Sequence, residues 1–245
     1  MIPYERQQII LELLKGKDFL KIEELQKKFP DISDSTLRRD LKELEKKRKV
    51  ESLSGGAIKL ISTTGEIPIS KRNSLNSEEK EVLSEIASTY IEDNDVIYLD
   101  SGSSCTALFK KIMNKNITIY TTNTDIFSIK DNFKAEIIIM GGQYKSLTSS
   151  ISGSLTEENL SKIYFSKSFI GVNGIDIEYG VTTPSLVEAS KKRLIKDHSD
   201  SVYLMCDSSK FHHLSNVKAF DLKDVTVISD KNDEKISKVV SLIFP

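Results

Sequence analysis

The chain has 245 residues, 38% apolar and 29% charged, with 35 Lys and Arg against 36 Asp and Glu. That excludes disordered, collagenous and membrane-spanning classes and leaves room for one small and one larger globular domain. The net charge of −1 excludes a uniformly basic nucleic-acid binder, but residues 1–60 carry fourteen Lys and Arg against eleven Asp and Glu, a net +3 that leaves −4 for the rest. Cys105 and Cys206 form no pattern, nothing resembles a signal peptide, and no apolar run reaches the roughly 18 residues of a bilayer span. A cytoplasmic protein in a reducing compartment, with no membrane contact, is the expectation.

The first element, over Tyr4–Leu14, carries Ile9, Ile10, Leu13 and Leu14 at helical spacing. A second short helix over Lys21–Phe29 carries Ile22, Leu25 and Phe29, and a turn at Pro30 and Asp31 leads to a third. There Ser33 can cap by accepting from free N–H groups of the first turn. Leu37, Leu41 and Leu44 fall within about 60° of one another on a helix. Ser35, Arg39 and Lys42 then project from the opposite face with Arg38 on its flank, suited to phosphates and base edges. An ordinary amphipathic surface helix would share the stripe, but helix, turn and basic helix in this order read as a helix-turn-helix. Seven basic and three acidic residues over 38–49 place positive charge there. Val50, Leu53, Ala57 and Ile58 around Gly55-Gly56 read as a hairpin, the wing of a winged helix, with its tip toward the DNA backbone.

Residues 4–58 resemble the N-terminal domain of the DeoR family of bacterial transcriptional regulators. Its helix motif is matched by Ser33, Thr36, Leu37, Arg38, Arg39, Asp40 and Leu41, and its wing motif by Ser54, Gly55, Gly56 and Ala57. The family's usual glycine is replaced by Arg48 and its usual wing histidine by Ser54. The candidate contacts to double-stranded operator DNA are Ser33, Ser35, Thr36, Arg38, Arg39, Lys42, Gly55 and Gly56.

Domain boundaries are expected at 1–60 for the winged helix, 61–76 for a Ser-, Thr- and Asn-rich linker and 77–245 for a second domain. Arg72 falls in the linker, and no role is drawn from it. Helical spacing returns over Glu78–Ile91 through Val82, Ile86, Ala87 and Tyr90. Apolar runs then mark strands at Val96–Leu99, Ile117–Thr121, Glu136–Met140, Ser168–Val172, Val202–Cys206 and Val225–Ile228. Their alternation with helices predicts an open α/β sheet covered on both faces. Ligands bind beyond the carboxyl ends of such strands.

Those ends hold small and polar residues. Asp100-Ser101-Gly102-Ser103-Ser104 opens a helix containing Ala107, Leu108 and Ile112, as suits either a phosphate or a plain strand-to-helix turn. Thr121-Thr122-Asn123, Gly141-Gly142, then Gly171, Asn173 and Gly174 follow later strands. Asp207-Ser208-Ser209-Lys210 ends another, with a lysine that is either solvated or paired with an anion. Cys105, near a helix start, is either an acidified thiol or a small buried one. His198, His212 and His213 show no metal-ligand spacing and read as surface residues.

This half resembles the DeoR C-terminal sensor domain, related in fold to ribose-5-phosphate isomerase and CoA transferases. The resemblance rests on Tyr98–Ser104, Thr121–Asn123, Met140–Gly142, Phe169–Asp176, Gly180–Thr183 and Asp207–Phe211. It implies a sensor for a phosphorylated sugar or related metabolite, with Asp100, Gly102, Ser103 and Ser104 at the phosphate end and Asn123, Gly142, Asp207 and Lys210 around the remainder. Glu188, on a helix Leu186–Ile195, matches a family glutamate and reads equally as a solvated helix residue. An isomerase-like enzyme is the competing reading, since Asp100, Glu188, Asp207 and Lys210 are chemically capable of proton transfer. A winged helix attached to a sensor favours a non-enzymatic repressor of a sugar or carbohydrate operon, with no cofactor, no catalytic residue and no metal. A homodimer or homotetramer is expected on repeated half-sites.

Overall fold

The computed structural model describes residues 2–14, 19–47, 49–53, 56–60 and 68–245. Of the sequence expectations, those on Arg48, Ser54, Gly55 and linker residues 61–67 lie outside the described residues. Two compact units divide the chain, Met1–Gly65 and Glu66–Pro245.

The first unit runs α1 (Pro3–Leu14), β1 (Leu20–Lys21), α2 (Ile22–Lys28), α3 (Asp34–Lys46), β2 (Val50–Leu53) and β3 (Ala57–Leu60). Its core joins Ile10 and Leu14 of α1, Leu25 of α2, Leu37, Leu41 and Leu44 of α3, and Val50 and Ile58 of the hairpin. β2 and β3 pair antiparallel from Val50 opposite Leu60 to Leu53 opposite Ala57. β1 adds a third strand, Leu20 opposite Ile58, which two residues are too short to announce by periodicity.

The second unit begins with α4 (Ile69–Ser74) and α5 (Ser77–Thr89), so a helix occupies part of the stretch expected to be linker. There follow β4 (Val96–Leu99), α6 (Ser103–Ile112), β5 (Thr118–Thr121), β6 (Glu136–Ile139), β7 (Gln143–Lys145), β8 (Ser150–Ser152) and α7 (Ser154–Leu160). The chain continues through β9 (Phe165–Gly171), β10 (Gly174–Asp176), β11 (Gly180–Thr183), α8 (Leu186–Asp197), β12 (Ser199–Met205), β13 (Val217–Phe220), β14 (Thr226–Ile228) and β15 (Ser241–Ile243).

Among the described residues seven parallel strands form the main sheet in the order β15-β14-β12-β9-β4-β5-β6. Alternate side chains go to opposite faces. Tyr98, Ile170, Leu204 and Val227 pack with Leu160 of α7 and Ala189 and Ile195 of α8. Ile97, Leu99, Phe169, Met205 and Ile228 pack with Leu83 and Ala87 of α5 and Leu108, Phe109 and Ile112 of α6. Burial on both faces is why the strands read as continuous apolar runs. β9 and β12 each start three residues before the expected position, because Ser199 and Ser201 pair opposite Phe165 and Lys167 through backbone that polar side chains do not advertise. The antiparallel β10-β11-β13 sheet and the β7-β8 hairpin lie beyond the main sheet's strand ends.

Candidate DNA-binding face and effector cleft

Ser33 Oγ accepts from the Thr36 N–H at 3.3 Å and so starts α3 as a cap. It also lies 3.0 Å from Ser35 Oγ and 2.9 Å from Thr36 Oγ1. Ser35, Arg39 and Lys42 are exposed along the helix face opposite the buried leucines, with Arg38 exposed on its flank. Arg38 Nε donates to Asp34 at 2.7 Å, an exposed pair weak enough to yield to a phosphate. Gly56 is exposed at φ +73°, in the left-handed region that favours glycine, and its carbonyl accepts from Ile22 N–H at 3.0 Å. α3 is anchored by charge as well as by leucine. Asp40 pairs with Arg6 of α1, both nearly fully buried, and Gln7 donates to Glu43 at 2.8 Å. Asp40 sits one turn from Leu37 on the inward side, which is the signal in the sequence for a buried partner.

In the second unit, Arg72, Ser101, Thr148, Ser150, Gly171, Asn173, Pro184, Glu188 and Lys192 line one cleft at the carboxyl ends of β4 and β9. Beneath it lies a buried charge cluster. Lys192 Nζ pairs with Asp100 and donates to the Gly171 carbonyl at 2.8 Å. Lys191 Nζ lies 3.6 Å from Asp100, 3.3 Å from Glu188 and 3.3 Å from Thr122 Oγ1. Burial pushes the Asp100 carboxyl up, but Lys192 and Lys191 outweigh it and hold Asp100 below the usual carboxylate range. Burial likewise pulls Lys191 down, and Glu188, Tyr98 and Asp100 more than restore it, leaving its ammonium above the ordinary lysine value. Burial raises the Tyr98 phenol, whose hydroxyl lies 2.9 Å from Thr122 Oγ1.

The expected site residues divide accordingly. Gly102, the residue before α6, has φ +133°, and a side chain there would come 3.3 Å from Arg72 Nη2. Ser104 is half-buried in the first turn of α6. Glu188 lines the cleft. Asp100 does not line the cleft: it is buried, and its oxygens are taken by two lysines and the Ser101 N–H at 2.9 Å. It holds Lys192 in place instead. Ser103 lines a separate groove with Thr106, Lys110 and Asp125. Asn123 has no exposed surface; its amide donates to Thr106 Oγ1 at 3.0 Å and accepts from Asp125 N–H at 3.0 Å, so it fixes the loop after β5. Gly142 is required by packing, since a side chain there would overlap Thr156 Oγ1 at 1.9 Å and Ser152 O at 2.8 Å. Asp207 is buried and accepts from Asn76 at 3.1 Å, and neither it nor Lys210 lines the cleft.

Arg72, Lys191 and Lys192 escaped the sequence reading. The signal for the lysines is their place on the buried side of α8, in register with Ala189 and Ile195. Cys105 is buried and its thiol is pushed up to about 12, which removes the acidified alternative. His198 is half-buried against Tyr164, whose ring stacks on it at 4.9 Å, and is not a simple surface residue. Among the described residues no cluster could hold a metal ion, and no helix is long and apolar enough to cross a membrane.

Residues 6–63 match the DeoR-like helix-turn-helix domain and residues 75–231 the DeoR C terminal sensor domain. The chain belongs to the DeoR family. The "Uncharacterized HTH-type transcriptional regulator FruR" of Bacillus subtilis (strain 168) is 31% identical over 236 residues, 96% of this chain and 93% of that one. The "Lactose phosphotransferase system repressor" of Staphylococcus epidermidis (strain ATCC 12228 / FDA PCI 1200) is 30% identical over 249 residues, 99% and 98% of the two chains. Among solved structures, ribose 5-phosphate isomerase A of Methanocaldococcus jannaschii is 12% identical at a TM-score of 0.41, covering 56% of this chain and 55% of that one. This DeoR-family chain is a DNA-binding transcriptional regulator with an α/β sensor domain, and not an enzyme.

Proposed function

We propose that this regulator represses a sugar or carbohydrate operon in the cytoplasm and is released from its operator when a phosphorylated sugar binds the cleft at the ends of β4 and β9. The observation that carries the reading is the convergence of Arg72, Lys192 and the Gly102 turn of α6 on one small polar cleft. A guanidinium, an ammonium and free N–H groups at a helix start are complementary to a phosphate monoester. Glu188, at the margin of the same cleft, is suited to accept hydrogen bonds from sugar hydroxyls. The repressor named among the relatives supports the direction of control. A homodimer or homotetramer would set paired α3 helices on repeated half-sites, with Ser35, Arg38, Arg39 and Lys42 meeting the major groove and its phosphates.

Calorimetric titration of the full chain with sugar phosphates and the matching free sugars tests the ligand. Binding is expected for a phosphorylated member and not for its free sugar. Equal binding of both, or of neither across the panel, would contradict the reading.

A further inference from the structure

We propose that α4 is the element through which the cleft signals its occupancy, with Arg72 as the group that grips the anion; this rests on the phosphate reading above. Among the described residues, Lys192 is paired with Asp100 and Lys191 with Asp100 and Glu188, whereas no carboxylate lies within ion-pair distance of Arg72. Its half-buried guanidinium faces the Gly102 turn and lines the cleft without an anionic partner. A bound phosphate would supply one in bidentate geometry.

The element that carries Arg72 is lightly held. α4 has six residues, and Ile69 is its one buried side chain. Its other attachments include the Ile69 N–H to the Leu147 carbonyl at 2.9 Å, Asn73 Nδ2 to Asp125 at 3.0 Å, and Lys80 Nζ on the Arg72 and Leu75 carbonyls. Little buried apolar surface means a low local opening energy, so an anion drawn to Arg72 changes the order of the whole helix. α4 is also the first described element after the segment leading from the winged helix. A change in its order therefore reaches the covalent link to the DNA-binding unit without rearranging the sheet.

Hydrogen–deuterium exchange of the full chain, with and without millimolar inorganic phosphate, tests this. In the wild type, phosphate should slow exchange several-fold at residues 69–75 and at 102–106. In Arg72→Ala the slowing at 69–75 should vanish, with some retained at 102–106, and Arg72→Lys should recover part of it. Equal slowing of α4 in Arg72→Ala, or an unresponsive α4 in a wild type protected at 102–106, would overturn the proposal alone. No slowing at either segment in the wild type would instead overturn the phosphate reading of the cleft, and this proposal with it. Unchanged far-UV circular dichroism melts establish that both variants are folded.

Discussion

Asp40 lies on α3 between Arg38, Arg39 and Lys42, where a carboxylate weakens attraction for DNA. Its burial with Arg6 accounts for it: the pair ties α1 to the inward side of α3. Removing one partner of a buried pair leaves an uncompensated charge and costs about 3 kcal/mol or more. Asp40→Ala should lower the stability of the first unit by about that much in urea denaturation, and an unchanged midpoint would show that the pair anchors nothing. Arg39 behaves differently. It is exposed on the outer face and free of ion pairs among the described residues, so Arg39→Ala should leave folding intact. Its log affinity for DNA should fall less steeply with log salt, by about one unit of slope if the residue meets a phosphate. An unchanged slope and affinity would move the contact elsewhere. Both roles could be read from spacing alone, since position 40 falls with Leu37 and Leu41 and position 39 falls opposite them.

At the scale of elements, what was legible followed burial. β4 occupies the expected Val96–Leu99 because both of its faces are covered by apolar neighbours. α4, β7 and β8 were not foreseen, since a six-residue helix and three-residue strands contain too little pattern to show a period. The cleft was half legible: the Ser/Gly turn announced itself, whereas the lysines beneath it come from α8, ninety residues further along the chain, and meet Asp100 only through tertiary packing. That cluster has a definite pH signature. Asp100 is held below its unfolded value of about 3.9, so its contribution is present above that pH and is lost as pH falls through the folded value. Lys191 is held above its unfolded value of about 10.4, so its contribution is full below that pH and is lost as pH rises through the folded value. Asp100 and Lys191 are therefore both charged throughout the neutral range, and the stabilisation from that pair is flat there. In Lys191→Met, Asp100 loses one of its two cations, so the acid limb of the thermal midpoint should begin at higher pH than in the wild type. Coincident acid limbs would show that Lys191 does not support Asp100.

Across the whole molecule, the +3 and −4 split of charge maps onto the two units. Order along the chain carried more information than any single motif, because a winged helix followed by an α/β sensor is a combination that neither half implies. Control of such a regulator requires only that the effector bind the DNA-competent and incompetent arrangements with different affinity, and the coupling is reciprocal. Operator DNA should therefore weaken binding of the releasing effector by the same factor by which that effector weakens DNA binding. The most direct measurement of the central claim is fluorescence polarisation of the full chain on DNA from upstream of its own gene, titrated at several salt concentrations and repeated with a panel of sugar phosphates. Sequence-selective, salt-sensitive binding is expected, weakened by one phosphorylated sugar and not by its free sugar. Absence of selective binding at moderate salt, or selective binding that no phosphorylated sugar alters, would contradict it.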